Sequence, residues 1–179
     1  LALRGKRQQG RRTGALFALL ALALAIPDPA ARAQDPAPAF SPAEIAPLAA
    51  RSLLLDGARL NGRIVAVGER GHILISDDDG QSWRQVPVPV DTMLTGVFFL
   101  DDKTGWATGH DAVILKTLDG GESWALQYAA PELETPLFKI AFLDADRGIA
   151  VGAYGLALAS DDGGTTWSEI KIAEEDPHL

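Results

Sequence analysis

This chain specifies an all-β architecture, a series of four-stranded antiparallel sheets set side by side as propeller blades. Three observations lead there. First, an eight-residue pattern occurs three times, as Ser76-Asp-Asp-Asp-Gly-Gln-Ser-Trp83, Thr117-Leu-Asp-Gly-Gly-Glu-Ser-Trp124 and Ser160-Asp-Asp-Gly-Gly-Thr-Thr-Trp167, with starts 41 and 43 residues apart. Second, the period extends beyond the pattern: Gly68, Gly109 and Gly152 each precede its opening hydroxyl residue by eight positions, with Ala66, Ala107 and Ala150 two residues earlier. Third, each period divides into four short apolar runs separated by turn residues, and four antiparallel strands per roughly 40 to 45 residues make a propeller blade.

Taken in order, the first 33 residues read as an export signal. Arg4, Lys6, Arg7, Arg11 and Arg12 form its basic start, Ala15 to Ile26 its apolar run, and Ala31-Arg32-Ala33 its small-residue cleavage site, with cleavage expected before Gln34. The apolar run of 12 is shorter than the roughly 20 residues that a bilayer core requires. The expected location is therefore periplasmic or extracellular. Residues 34–48, rich in Pro and Ala, read as an extended lead-in with no packed partner of its own. Residues 49–179 form the partial propeller, with blades at about 52–86, 94–128 and 137–170.

The strand runs are clearest in the later blades. Leu94 to Leu100, Gly105 to Thr108, Ala112 to Thr117 and Ser123 to Tyr128 make one blade; Leu137 to Leu143, Gly148 to Val151, Gly155 to Ser160 and Thr166 to Ile170 make the next. Leu94 and Leu137 open successive blades, and Leu179 lies 42 residues beyond Leu137, where a further blade would start. Propellers close with about four to eight blades, so the expectation is a chain holding part of a larger ring.

The repeated pattern falls between the third and fourth strands. Its Asp accepts hydrogen bonds from the backbone of its own turn, its Gly supplies a positive φ, and its Trp caps the apolar layer. The structural residues are Ser76, Asp78, Gly80, Ser82 and Trp83; Thr117, Asp119, Gly121, Ser123 and Trp124; and Ser160, Asp162, Gly164, Thr166 and Trp167.

Charge narrows the function. The whole chain carries a net charge of −8, and removing the leader leaves 10 basic residues against 23 acidic ones, which argues against nucleic-acid binding. With no cysteine there is neither a disulfide nor thiolate chemistry. Asp77-Asp78-Asp79-Gly80 lacks the alternate spacing and distal Glu of a calcium loop. His72, His110 and His178 share no repeat position and read as solvated or structural, so no metal and no cofactor is expected.

Strand alternation places all three eight-residue turns on one end of the blades. Glu69-Arg70, His110-Asp111 and Ala153-Tyr154 then fall on the opposite end, near the central channel, joined by the linkers Val86 to Met93 and Tyr128 to Pro136. Residues that differ in chemistry at one repeat position are what a binding surface displays. Glu69, Arg70, His110, Asp111 and Tyr154 are the candidate binding residues, and no catalytic residue is assigned.

The pattern S/T-x-D-x-G-x-S/T-W resembles the Asp-box, or BNR repeat, of sialidases and related propellers. The fuller unit, with Gly-Trp-Ala-Thr-Gly109 before the third strand and Asp-Gly-Gly-Glu-Ser-Trp124 after it, is similar to the photosystem II assembly and stability factor family. That resemblance spans Ser52 to Leu179 and implies a seven-bladed propeller, about three blades of which are present here. It also implies a binding scaffold that acts by protein–protein interaction with a membrane complex rather than by catalysis. The chain departs from the pattern at Ala112, where the other blades have Gly71 and Gly155, and at Ile64, where they have Gly105 and Gly148.

Two other readings belong to different classes. A sialidase-like glycoside hydrolase fragment would need an arginine cluster, an acid and a Tyr activated by Glu; the chain has only Tyr128 and Tyr154, and no arginine recurs at matching loop positions. An accessory protein of an envelope transporter is the other alternative.

Overall fold

A computed structural model of the chain describes residues 40–171. The leader, the first part of the lead-in, His178 and the expected blade start at Leu179 fall outside the described residues. Twelve strands follow one another: β1 (Leu54–Arg59), β2 (Ile64–Gly68), β3 (Ile73–Ser76), β4 (Arg84–Gln85), β5 (Leu94–Phe99), β6 (Gly105–Gly109), β7 (Ile114–Thr117), β8 (Ala125–Tyr128), β9 (Leu137–Phe142), β10 (Gly148–Gly152), β11 (Ala157–Ser160) and β12 (Ser168–Glu169). They form three sheets in the orders β1-β2-β3-β4, β5-β6-β7-β8 and β9-β10-β11-β12, each antiparallel throughout. Neighbouring sheets meet chiefly through their first strands, β1 against β5 and β5 against β9. These are three propeller blades.

The repeat is preserved in the register. Ile64, Gly105 and Gly148 pair with Ser76, Thr117 and Ser160, so each turn's opening hydroxyl faces the same point of the second strand. The third and fourth strands are shorter than the apolar runs. Single-turn 3-10 segments take up Ala112 and Gly155, and the fourth strands start only after the Trp.

Two seams form the core. Val65, Val67, Ile73 and Ile75 pack with Val97, Ala107, Leu115 and Trp124 between the first and second sheets. Trp106 and Ile114 pack with Ile140, Phe142, Ala150 and Leu158 between the second and third. Alternation along β6 explains the division, because Trp106 and Ala107 point to opposite faces of one sheet. Trp106 lies face to face with Phe142, with ring centroids 3.5 Å apart and planes inclined by 10°.

The departure at Ile64 has a packing reason. A Cβ on Gly105 would come within 2.5 Å of the Phe99 ring, and one on Gly148 within 2.4 Å of the Phe142 ring. In the first sheet the residue paired with this position is Arg59, not Phe, so no ring needs the space and Ile64 fits.

One expectation is corrected. The described part of the lead-in does pack: Ala43 N–H donates to Val88 O at 2.9 Å, Ala46 N–H donates to Gln85 Oε1 at 2.8 Å, and Gln85 Nε2 donates to Glu44 O at 2.8 Å. Ala43 is 8% exposed and belongs to the first seam. The segment lies along the outer edge of the first sheet because the Gln85 amide offers both a donor and an acceptor to its backbone.

Candidate binding face

The second strands end at Gly68, Gly109 and Gly152, where another chain segment comes very close. A Cβ there would lie 2.0 Å from Leu53 O, 2.2 Å from Met93 O and 2.4 Å from Pro136 O. With the side chain absent, the next N–H reaches the same carbonyl: Glu69, His110 and Ala153 donate at 3.0, 2.9 and 3.0 Å. This bond fastens the start of each first strand to the end of its second.

A 3-10 turn follows in each sheet, at Glu69–Gly71, His110–Ala112 and Ala153–Gly155. Its middle residue is left-handed all three times: Arg70 at φ 54°, Asp111 at 58° and Tyr154 at 55°. A non-glycine residue in this region is disfavoured by about 1 kcal/mol. The same strained position thus holds a cation, a carboxylate and a phenol on one backbone geometry. Tyr154 is 95% exposed, Arg70 is exposed and Asp111 is half-buried, accepting a 3.1 Å hydrogen bond from Thr92 Oγ1.

The other candidates differ in role. His110 is exposed. Glu69 is half-buried, and its Oε1 accepts the Leu53 N–H at 3.1 Å, so this carboxylate is committed to the strand junction. The turns lie midway across the blade, between second and third strands, and the first strands form its innermost edge.

The departure at Ala112 is accommodated by the linker. A Cβ on Gly71 would meet Val90 O at 2.0 Å, whereas Ala112, at φ 52°, donates its N–H to Thr135 O at 2.9 Å. The linker after β8 returns beside this turn, with Ala130 N–H donating to Asp111 O at 2.9 Å and a short 3-10 turn at Pro131–Leu133. Leu133, 45% exposed, and Glu132 thereby lie next to the candidate residues. Sequence reasoning did not single them out. Pro131, at the first turn position, was the available signal.

At the opposite end, the three eight-residue turns share one hydrogen-bond set. The opening hydroxyl donates to the Asp carboxylate at 2.8, 2.7 and 2.9 Å and accepts the N–H of Gly80, Gly121 and Gly164 at 2.8, 3.0 and 2.8 Å. The Asp also accepts both the N–H and the hydroxyl of Ser82, Ser123 or Thr166, and the Trp indole donates to the Gly carbonyl at 3.1, 2.9 and 3.1 Å. Hydroxyl and backbone donors from Ser82 and Thr166 hold Asp78 and Asp162 down at about 2. For Asp119, burial pushes upward but the Ser123 donors outweigh it, and the value is lowered. Every oxygen of this carboxylate is thus used within the turn.

The neighbouring Asp77 is engaged as well. Its carboxylate takes Arg63 Nε at 2.6 Å, while Glu122 takes Arg63 Nη2 at 2.9 Å and Arg84 Nη2 at 2.6 Å. This alternating ring of charges ties the first sheet to the second. His72 is 3% exposed, with Nδ1 unpartnered. Burial lowers its pKa below the ordinary 6.5, the Glu69 charge opposing and the Arg70 charge adding to the shift.

Comparison with known proteins gives a consistent picture. Residues 75–178 match the model of the photosynthesis system II assembly factor YCF48 family. A curated relative, the chloroplastic photosystem II stability/assembly factor HCF136 of Cyanidioschyzon merolae, is 34% identical over 80 residues, which are 41% of this chain and 18% of the relative. Among solved structures, YCF48 bound to D1 peptide superposes with a TM-score of 0.57 at 24% identity, covering 65% of this chain and 39% of that one. YCF48 from C. merolae superposes at 0.56 and 22%, covering 72% and 42%. An ancestral GH74 enzyme reaches 0.56 at 16% identity, covering 65% and 18%, a likeness of fold alone. The chain therefore spans less than half the length of each of these proteins. From the repeat, the three blades and the match over residues 75–178, the chain belongs to the photosystem II assembly factor YCF48 family.

Proposed function

We propose that this chain is part of an exported binding scaffold that engages a polypeptide of a membrane complex through the 3-10 turn face. The carrying observation is the repeated left-handed position, where Arg70, Asp111 and Tyr154 project from equivalent backbones with three different chemistries. Strain of about 1 kcal/mol at each persists only where the surrounding structure enforces it. A rigid face of this kind needs little ordering on binding. His110, Thr92 and the Pro131–Leu133 turn extend the surface, and Glu69 braces it.

The relative solved with a D1 peptide supports a polypeptide as the kind of partner. Export to a periplasmic or extracellular compartment rests on the leader sequence. The test uses a fluorescent D1 peptide titrated into the chain, followed by polarisation. Changing Arg70→Gly, Asp111→Gly and Tyr154→Gly together removes the side chains while relieving the left-handed strain, so the fold is retained. At least a tenfold loss of affinity with an unchanged circular dichroism spectrum is expected. Equal affinity of variant and parent would show that this face is not the one used.

A further inference from the structure

Asn61 is the only asparagine in the chain, and a glycine follows it. The pair forms the turn between β1 and β2, where Leu60 N–H donates to Arg63 O at 2.8 Å and Gly62 takes a φ of 77°. Asn-Gly suits a tight hairpin turn because glycine adopts a positive φ without steric hindrance. The same pairing has a chemical consequence: the backbone nitrogen that follows an asparagine attacks the side-chain amide carbon where nothing holds or shields it. Here both residues are exposed, no atom lies within 4 Å of where a Gly62 Cβ would stand, and the Gly62 N–H donates to no acceptor among the described residues.

The four Asp-Gly pairs supply the contrast. The N–H groups of Gly80, Gly120 and Gly163 donate to Ser76 Oγ, Lys103 O and Asp146 O at 2.8, 2.9 and 2.8 Å. Gly57 N–H donates at 3.0 Å to the Asp56 carboxylate itself, which is kept ionised by Lys139 Nζ at 2.8 Å and so resists attack. Only the turn at Asn61 joins a reactive side chain to an unengaged nitrogen.

We propose that Asn61-Gly62 is a site of spontaneous, water-consuming modification that loosens the junction between the first and second sheets. Gly62 N bonds to Asn61 Cγ and gives up its proton, and the side-chain amide nitrogen departs with that proton as ammonia, leaving a five-membered cyclic imide. Water then adds to one of the two ring carbonyls. Addition at Cγ reopens the ring to an ordinary aspartate. Addition at the Asn61 backbone carbonyl leaves the chain running through Cβ and Cγ, with a free α-carboxylate. One water is consumed, one ammonia is released, and a neutral amide becomes a carboxylate without any oxidant or reductant.

The site matters because the turn is tied to the neighbouring sheet. Asn61 N–H donates to Asp102 Oδ1 at 3.1 Å, and Arg63, two residues on, donates from Nη1 to Gly120 O at 3.1 Å. Both products set a new negative charge beside Asp102, and like-charge repulsion opposes the tie. The second product also lengthens a two-residue turn by one backbone atom, so the Asn61 N–H no longer meets Asp102.

In the test, the purified 179-residue chain and a synthetic peptide of residues 58–67 are held side by side in mildly alkaline buffer, and their digests are followed by mass spectrometry. The chain should gain about 1 Da at Asn61, within tenfold of the peptide's rate. Asn61→Gln, whose longer side chain cannot close a five-membered ring, keeps the backbone N–H to Asp102 and should gain nothing. The converted chain, separated by ion exchange, should melt about 3 °C below the parent, whereas Asn61→Gln incubated equally melts as the parent does. The proposal is overturned if Asn61 in the chain converts more than tenfold slower than in the peptide, if Asn61→Gln gains the same mass, or if the converted chain melts with the parent.

Discussion

Trp106 offers the strongest test of how the blades hold together, because the repeat places Val65, Trp106 and Ile149 at one position in three sheets. Each stands one residue after the start of its second strand, on the face turned toward the following sheet. Val65 and Trp106 are 0% exposed, whereas Ile149 is 39% exposed. Replacing Trp106 by Ala removes the stack on Phe142 and leaves a void in a seam that has no flexible filler, a loss of about 4 kcal/mol. Val65→Ala removes two methyl groups, for a loss of about 2 kcal/mol. Ile149 is already partly exposed, so Ile149→Ala costs about 1 kcal/mol, with little cavity term. Against a domain stability of roughly 5 to 15 kcal/mol, the first change is severe and the last mild. Equilibrium urea unfolding followed by far-ultraviolet circular dichroism measures all three. If Ile149→Ala destabilised as much as Trp106→Ala, the assignment of seam-facing residues would be wrong. Trp106→Phe supplies a check on the same reasoning: it keeps the stack and removes a buried indole N–H that has no partner, so its cost should be well under half that of Ala.

Other consequences follow from the turns, the charged ring and the buried histidine. Carboxyl resonances of Asp78 and Asp162, followed by NMR through an acid titration, should show midpoints near 2; ordinary values near 3.8 would contradict the turn hydrogen bonds. Because these folded-state values are depressed, the stability they contribute is complete above 3.8 and fades as pH falls toward 2. His72 is also depressed, so the unfolded chain binds the extra proton first and stability declines as pH drops below 6.5. His72→Leu, which copies Leu156 at the same repeat position, should flatten that part of the profile in thermal melts across pH; an unchanged slope would mean that His72 is not its source. Arg63→Met opens the ring with Asp77 and Glu122 and should lower stability by about 1 kcal/mol at low salt, with a smaller deficit at high salt. A salt-independent deficit would point to lost packing of the arginine stem instead.

The parts of this molecule that could be read directly from the chain are those whose causes lie within a few residues. An Asp that bonds two hydroxyl residues, the first of which also takes a Gly N–H, closes its turn within eight positions in each copy, and so the strand count, the antiparallel order and the end on which the turns sit followed from Ser76 to Trp83 and its two repeats. Glu69, Arg70, His110, Asp111 and Tyr154 were likewise placed on one face by alternation alone. The left-handed backbone at Arg70, Asp111 and Tyr154 was not legible, because the carbonyls that fasten these turns, those of Leu53, Met93 and Pro136, come from a different strand of the blade. The bond between the Glu69 carboxylate and the Leu53 N–H, 16 residues away, was not legible either.

Local turn chemistry, then, determined the repeat, the blade and its two ends without reference to anything distant. Tertiary structure alone decided which residue of each strand meets which sheet, why Ile64 tolerates a side chain where Gly105 and Gly148 do not, and that Ala43 to Ala46 of the lead-in pack beside Gln85 of β4. The contacts between sheets join residues about 40 positions apart, as between Asp56 and Val97 or Arg84 and Glu122. Side-chain size and charge settle them only once three separate sheets have been brought against one another.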